Sequence, residues 1–203
     1  MNYKQILISG FLLWLFAVIG VGLVASTFVA TEDRIAENER QALLKALQEL
    51  LPPDRFDNDI ADDSILLPHP YKLGSSEPVT AWRARKNGNP VAVIFKTIAP
   101  DGYNGAIHLL VGIYVDGRLA GVRVIKHNET PGLGDGIETR KSDWIRQFDG
   151  KSLSHPPAEQ WKVRRDGGAF DQMTGATISP RAIVKAVRNA LAYYDEHKEE
   201  LFQ

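Results

Sequence analysis

Apolar and polar positions divide this chain into stretches with different periods. From Ile6 to Ala30 no charged residue occurs, and the run is built mainly from Ile, Leu, Phe, Val, Ala and Gly. Coiled at about 1.5 Å per residue it reaches roughly 37 Å, enough to cross a bilayer with some tilt. Ala25, Ser26 and Ala30 are small enough to frame a signal-peptide cleavage site. The run is nevertheless well beyond the roughly 7–15 apolar residues that such a peptide carries. After Thr31 the chain becomes charged while Ile35, Leu43, Leu44, Leu47, Leu50 and Leu51 recur at helical spacing. This pattern predicts an amphipathic stalk that prolongs the first helix and stops at Pro52-Pro53. Its stripe serves either packing on its own domain or a partner helix. Asp54 to Pro78, rich in Asp, Pro and Ser, has no period and reads as irregular.

The next stretch is dominated by strand signals. Val79 to Arg85 and Val91 to Ala99 flank Asn87-Gly88, and Ile107 to Val115 is joined through Asp116-Gly117 to Leu119–Lys126. Asn-Gly and Asp-Gly favour type I′ hairpin turns, whose two central residues need positive φ. Lys141 to Phe148 is a short helical candidate. Pro180 to Phe202 is a longer one, with Ile183, Val184, Val187, Leu191 and Tyr194 on one face. The expectation is an α+β fold: an antiparallel sheet with flanking helices, preceded by one transmembrane helix. It divides into an anchor at 1–30, a stalk at 31–53 and a globular domain at 54–203.

Composition removes several chemistries. The chain of 203 residues has no cysteine, which excludes disulfides and cysteine-ligated iron–sulfur or zinc centres within it. The histidines at 69, 108, 127, 155 and 197 lack ligand spacing, so no metal site is expected. A net charge of −1 without basic runs gives no attraction for nucleic acid. Lys4 precedes the apolar run while Arg34, Arg40 and Lys45 follow it, so charge alone leaves the membrane orientation open.

The most specific segment is Asp171-Gln172-Met173-Thr174-Gly175-Ala176-Thr177, followed by Ile178, Ser179 and Pro180. Ser179 is a good N-cap and Pro180 a good first helical residue, so Thr177 is delivered to a helix start. Free N–H groups and the positive end of the helix dipole suit that position to an anion, phosphate above all. Gly175 lets the chain turn closely beside a ligand. Read locally, the segment is equally a glycine-containing loop with a helix cap. Upstream, His127-Asn128-Glu129-Thr130-Pro131-Gly132-Leu133-Gly134 describes a tight loop whose N–H groups could meet a ring carbonyl or a phosphate.

Asp-x-x-Thr-Gly-Ala-Thr, complete at every specified position, resembles the flavinylation motif of the FMN-binding domain. That domain occurs in the G subunit of Rnf complexes and in the C subunit of the sodium-pumping NADH:quinone oxidoreductase. The Glu129–Gly134 loop is similar to the Glu-Thr-Pro-Gly-Leu-Gly loop of the same family, and Gly102-Tyr103-Asn104-Gly105 resembles its Gly-Tyr-x-Gly segment. A single span and a length near 200 residues resemble the Rnf G subunit more than the longer C subunit.

The resemblance implies that FMN is carried as a phosphoester on Thr177, placed there by a flavin transferase that uses FAD as donor. Asp171, Thr174, Gly175 and Ala176 then form the sequence that the transferase reads. Gly132, Leu133 and Gly134 would lie against the flavin, and Glu129 and Thr130 would hydrogen-bond the isoalloxazine edge. Trp144 is a stacking partner or a core aromatic, and Lys185 a phosphate contact or a solvated helix lysine. The implied function is an electron carrier among other integral membrane subunits of an ion-translocating complex, not a stand-alone enzyme. The implied location is the inner membrane with the globular domain in the periplasm. The competing expectations are a membrane-tethered binding or assembly module without flavin, or the equivalent subunit of a related flavin-dependent complex.

Overall fold

The computed structural model describes residues 3–68 and 70–202. The chain separates into two compact units, Met1–Leu43 and Leu44–Gln203. The first consists of helix α1, Tyr3–Leu50, whose final turns belong to the second. The helix runs unbroken through the expected boundary between anchor and stalk at residue 30. Its stretch Tyr3–Glu32 is long and apolar enough to cross a membrane. Phe11, Trp14, Phe16 and Val24 stand open along it, an arrangement that suits hydrocarbon rather than water. The threonine hydroxyls near its C-terminal end are satisfied locally: that of Thr27 donates to the Leu23 carbonyl at 2.8 Å, and that of Thr31 to the Thr27 carbonyl at 2.8 Å. No partner is required to keep these groups in an apolar medium.

The second unit is built on a five-stranded antiparallel meander in the order β1-β2-β3-β4-β5. Its strands are β1 Ser64–Leu67, β2 Val79–Lys86, β3 Asn89–Ala99, β4 Ile107–Tyr114 and β5 Leu119–Lys126. Because successive side chains alternate, the register sorts them into two faces. Ala81, Phe95, Val111 and Val122 stand opposite one another on one face. Helix α2, Ile178–His197, covers that face with Ile183, Val187 and Leu191, all in the main core. Phe95 meets Tyr193 edge to face at 5.7 Å between ring centroids.

On the opposite face Trp82, Ile94, Gly112 and Gly121 stand in register. The two glycines leave the sheet bare there, and Leu50 sits so near that a Cβ on Gly121 would lie 3.2 Å from its methyl. Leu47, Leu50 and Leu51 are buried at this end of α1, whereas Ile35 is exposed. Arg123 donates through Nη2 to the Glu49 carbonyl at 2.8 Å, satisfying one of the open carbonyls at the helix end. The helix stops as expected before Pro52-Pro53.

Several local expectations are corrected. The segment 54–78 is not wholly irregular: Ser64–Leu67 forms the edge strand β1, too short and too closely flanked by Asp and Pro to show a period. Asn87 and Gly88 both have positive φ, 51° and 76°, as a type I′ turn demands. At Asp116-Gly117 only Gly117 is left-handed, with φ of 83°. Its N–H donates to the Tyr114 carbonyl at 2.8 Å and the Tyr114 N–H to the Arg118 carbonyl at 2.8 Å, so a longer loop closed by glycine replaces the two-residue turn. Lys141–Phe148 contracts to a single 3₁₀ segment, Trp144–Phe148. Helix α2 begins two residues before Pro180 and ends at His197 rather than Phe202.

Between β5 and α2 the chain is a succession of short turns wrapped around an aromatic cluster. Phe170 stacks on Phe148 and lies against Trp161, each with centroids 4.8 Å apart. Trp144 meets Phe148 edge to face at 5.6 Å. In place of regular structure, this cluster forms the packed interior of the segment that leads to Asp171.

Candidate functional site

Thr177 occupies the N-cap position of α2 with φ −96° and ψ −23°, and it is half-buried. An N-cap residue is usually extended, which lets its side-chain oxygen accept a hydrogen bond from an N–H of the first turn. Thr177 is already helical and makes no such bond. Its hydroxyl is thus left for other chemistry. The N–H groups of Ile178 and Ser179 also have no acceptor among the described residues, and Pro180 contributes no N–H. Two free donors and the positive end of a 20-residue helix lie beside one free hydroxyl.

The expectation that Ser179 caps the helix is corrected. Ser179 lies within the first turn, 1% exposed, and donates from Oγ to Oε2 of Glu129 at 2.5 Å. As a donor to a carboxylate the hydroxyl makes a charge-assisted bond, a use that a cap, where the serine oxygen accepts, does not require, and Pro180 is tolerated because the first four N–H groups need no helical partner.

Upstream of Thr177 the chain makes a tight turn. The Ala176 N–H donates to the Met173 carbonyl at 3.2 Å, with Gly175 at φ 81° in the third position of the turn. A Cβ there would lie 3.3 Å from a methyl of Leu133, so the motif and the Leu133 loop touch at this point. Thr174 and Gly175 are exposed at the tip, and Ala176 is half-buried. Asp171, at the foot of the turn, is clamped: its N–H donates to Gln147 Oε1 at 2.7 Å and its carbonyl accepts Trp144 Nε1 at 2.6 Å. Its carboxylate pairs with Arg164 at 3.0 Å. Trp144 is thus half-buried against the aromatic cluster with its indole N–H engaged by the motif.

In the second loop the expected open N–H groups are closed. The Gly132 N–H donates to Asp135 Oδ1 at 2.8 Å, and those of Leu133 and Gly134 both donate to the Thr130 carbonyl at 3.1 Å. Thr130 Oγ1 accepts the Asn104 side-chain amide at 3.1 Å. Glu129 is 4% exposed, and its oxygens accept from Ser179 Oγ and from the Asn104 N–H at 3.3 Å. The carboxylate expected at the flavin edge is therefore engaged inside the protein. Lys185 turns to Asp101 at 2.6 Å, a pairing that needs no ligand phosphate. Among the described residues no cluster is placed to hold a metal, and His69 lies outside them. Leu133, Ile178 and Tyr103, in the segments that meet here, are exposed apolar side chains.

Sequence reasoning missed Asn104 as a bridge, Gln147, and the chain that runs from Glu129 to Arg140. The Glu129 N–H donates to His127 Nδ1 at 3.0 Å, so the ring proton lies on Nε2 and points to Glu138 Oε1 at 2.9 Å. Arg140 donates to the other oxygen of Glu138 at 2.5 Å. Arg140 first, and His127 after it, hold the Glu138 carboxyl below its usual range. A depressed acid contributes stability above its unfolded pKa and loses it as the pH falls through the lower folded value. Glu138→Gln is therefore expected to flatten the fall in melting temperature on acidification below the ordinary glutamate value of 4.5, measured by thermal melts of the detergent-solubilised chain. An unchanged acid limb would show that this carboxylate carries no such linkage.

These elements have counterparts in known proteins. The FMN-binding domain family matches residues 102–192, which contain the Glu129 loop, Trp144 and Thr177. The RnfG N-terminal region matches residues 1–50, the whole of α1. The G subunit of the ion-translocating oxidoreductase complex of Pseudomonas aeruginosa is 52% identical over 198 residues, covering 98% of this chain and 92% of the relative. The protein of the same name from Shewanella baltica is 48% identical, covering 96% and 92%. That of Vibrio cholerae is 45% identical, covering 95% and 92%. At this identity over nearly the full length of both sequences, the chain belongs to the family of G subunits of the ion-translocating oxidoreductase complex.

Proposed function

We infer that this chain is the electron-carrier subunit of an Rnf-type ion-translocating oxidoreductase and that its FMN is held as a phosphoester on Thr177. The observation that carries the attachment is the free hydroxyl of Thr177 at the start of α2, unbonded where a threonine would normally cap the helix. The surroundings fit the group. The free N–H groups of Ile178 and Ser179 suit a phosphodiester, and Leu133 and Ile178 offer exposed apolar surface beside it.

Attachment exchanges one phosphorus–oxygen bond for another. Thr177 Oγ1 bonds to the phosphorus of the FMN half of FAD, the pyrophosphate bond breaks, AMP leaves and the hydroxyl proton passes to solvent. A flavin transferase performs this step. The exposed turn at Thr174 and Gly175, with Ala176 and the clamped Asp171, is the face it reads, and Gly175 alone permits the left-handed tip. Gly132 and Gly134 shape the neighbouring loop, Thr130 anchors it to Asn104, and Trp144 fixes the foot of the motif.

When bound, FMN supplies one- and two-electron chemistry; the protein supplies position and surroundings. Thr177 is half-buried beside exposed Thr174, Gly175 and Ile178, which suits electron exchange with neighbouring subunits more than turnover of an enclosed substrate. The partners in this reading are the other integral membrane subunits of the complex. The tether keeps the flavin at high effective concentration beside them. We place α1 across the inner membrane and the domain in the periplasm, where a lost flavin would not be recovered.

The test is to produce the full chain with and without a flavin transferase and to inspect a denaturing gel under ultraviolet light. A fluorescent band is expected only with the transferase, and the peptide containing Thr177 should gain the mass of FMN less water. A dark band from co-produced protein would overturn the attachment and leave a membrane-tethered binding module.

A further inference from the structure

One carboxylate joins three segments that are far apart in sequence. Glu129 follows β5, Asn104 lies in the loop before β4, and Ser179 is in the first turn of α2, 50 residues beyond Glu129. Oε2 of Glu129 accepts the Ser179 hydroxyl at 2.5 Å, and Oε1 accepts the Asn104 N–H at 3.3 Å. Two glycines make room for it. A Cβ on Gly102 would lie 2.9 Å from Oε1, and a Cβ on Gly134 would lie 2.8 Å from Oε2 and 3.2 Å from Ser179 Oγ. At 4% exposure the carboxylate has exchanged water for these donors. A buried acid is tolerated only when its oxygens are bonded in this way.

We propose that Glu129 is a positioning residue for Thr177: through Ser179 it fixes the first turn of α2 and so holds the acceptor hydroxyl where the transferase must find it. The inference rests on the assignment of the flavin to Thr177 only for that last step. Ser179 is two residues from Thr177, and the Arg181 N–H closes the turn on the Thr177 carbonyl at 3.2 Å. With the Glu129 carboxylate removed, the buried Ser179 hydroxyl and the Asn104 N–H lose their acceptors together, and the first turn of α2 loses its polar link to both neighbouring loops. His127 sets the approach of Glu129 from the other side by accepting its N–H at 3.0 Å. Both oxygens of the carboxylate are taken by protein donors.

Two measurements on the full chain in detergent test the proposal. The first is amide exchange at Arg181 and Gly134 in protein made without transferase, with Val93 and Phe95 of the sheet as internal controls. Glu129→Ala and Ser179→Ala are each expected to speed exchange at Arg181 by about tenfold or more, the factor for losing a hydrogen bond to a charged group. Glu129→Gln, which keeps the volume and one acceptor oxygen, should fall between them and the parent. The double variant Glu129→Gln/Ser179→Ala should lose no more than Ser179→Ala alone, since both side chains act on Arg181 through the one bond between them. The second is the initial rate of flavin incorporation with FAD and purified transferase, which should fall in the same order.

Parental exchange at Arg181 in Glu129→Ala would overturn the proposal. Acceleration shared equally by Val93 and Phe95 would also overturn it, because the role would then be general stability. Parental incorporation rates together with fast exchange would refute the positioning of Thr177. If the parent itself takes up no flavin, the Thr177 assignment fails by itself, and the exchange of unmodified protein still decides what Glu129 holds.

Discussion

Thr177→Val should abolish the in-gel flavin fluorescence of chain co-produced with the transferase while leaving its melting temperature unchanged. Valine reproduces the branched shape of threonine and removes only the hydroxyl. At an ordinary N-cap that loss costs roughly 0.5–2 kcal/mol, because the side-chain oxygen satisfies a first-turn N–H. Here the oxygen makes no cap bond, so the expected change in stability is within about 0.5 kcal/mol, the range of a neutral surface substitution. The variant therefore separates chemistry from folding. A residual band at the parental intensity would move the acceptor to another residue, and Thr174, exposed at the tip of the same turn, is the first alternative to examine by peptide mass. A clear drop in melting temperature would mean that the hydroxyl serves the helix after all.

The elements that the sequence announced most clearly are those whose pattern is local. The apolar run, the Asn87-Gly88 hairpin and the stripe of α2 each carry a period or a turn pair within a few residues, and each is found in the structure. Edge strand β1 was hidden because four residues cannot display alternation and its hydrogen bonds come from β2 alone. The start of α2 was misplaced for a different reason. Ser179-Pro180 is a sound local cap signal, but Glu129, 50 residues earlier, takes the serine hydroxyl, and no window around Ser179 contains that information. The same limit applies to the Gly132–Gly134 loop, which looks open in sequence and is closed by Asp135 and the Thr130 carbonyl. The motif was legible as a motif, whereas the struts beneath it, Trp144 and Gln147 on Asp171, appear only once the chain has folded.

Phe170→Ala should lower the stability of the globular unit by about 3–5 kcal/mol, the usual cost of deleting a fully buried aromatic side chain. Phe170 is 2% exposed and its ring packs 4.8 Å from both Phe148 and Trp161. In a region of turns with little regular structure, few other contacts can close over the space left behind. Domains of this size are stable by only about 5–15 kcal/mol, and their melting temperature moves by roughly 2–4 °C per kcal/mol, so a fall of about 10 °C is expected in thermal melts. Flavin uptake should respond differently. The backbone of Phe170 keeps its bonds, N–H to the Lys162 carbonyl at 3.1 Å and carbonyl from the Arg164 N–H at 2.7 Å, and Asp171 is held independently by Trp144 and Gln147. Well below its melting temperature the variant should therefore still accept flavin on Thr177. Loss of the flavin band at a temperature where the chain remains folded would show that the aromatic cluster, and not the clamp on Asp171, sets the geometry of the motif.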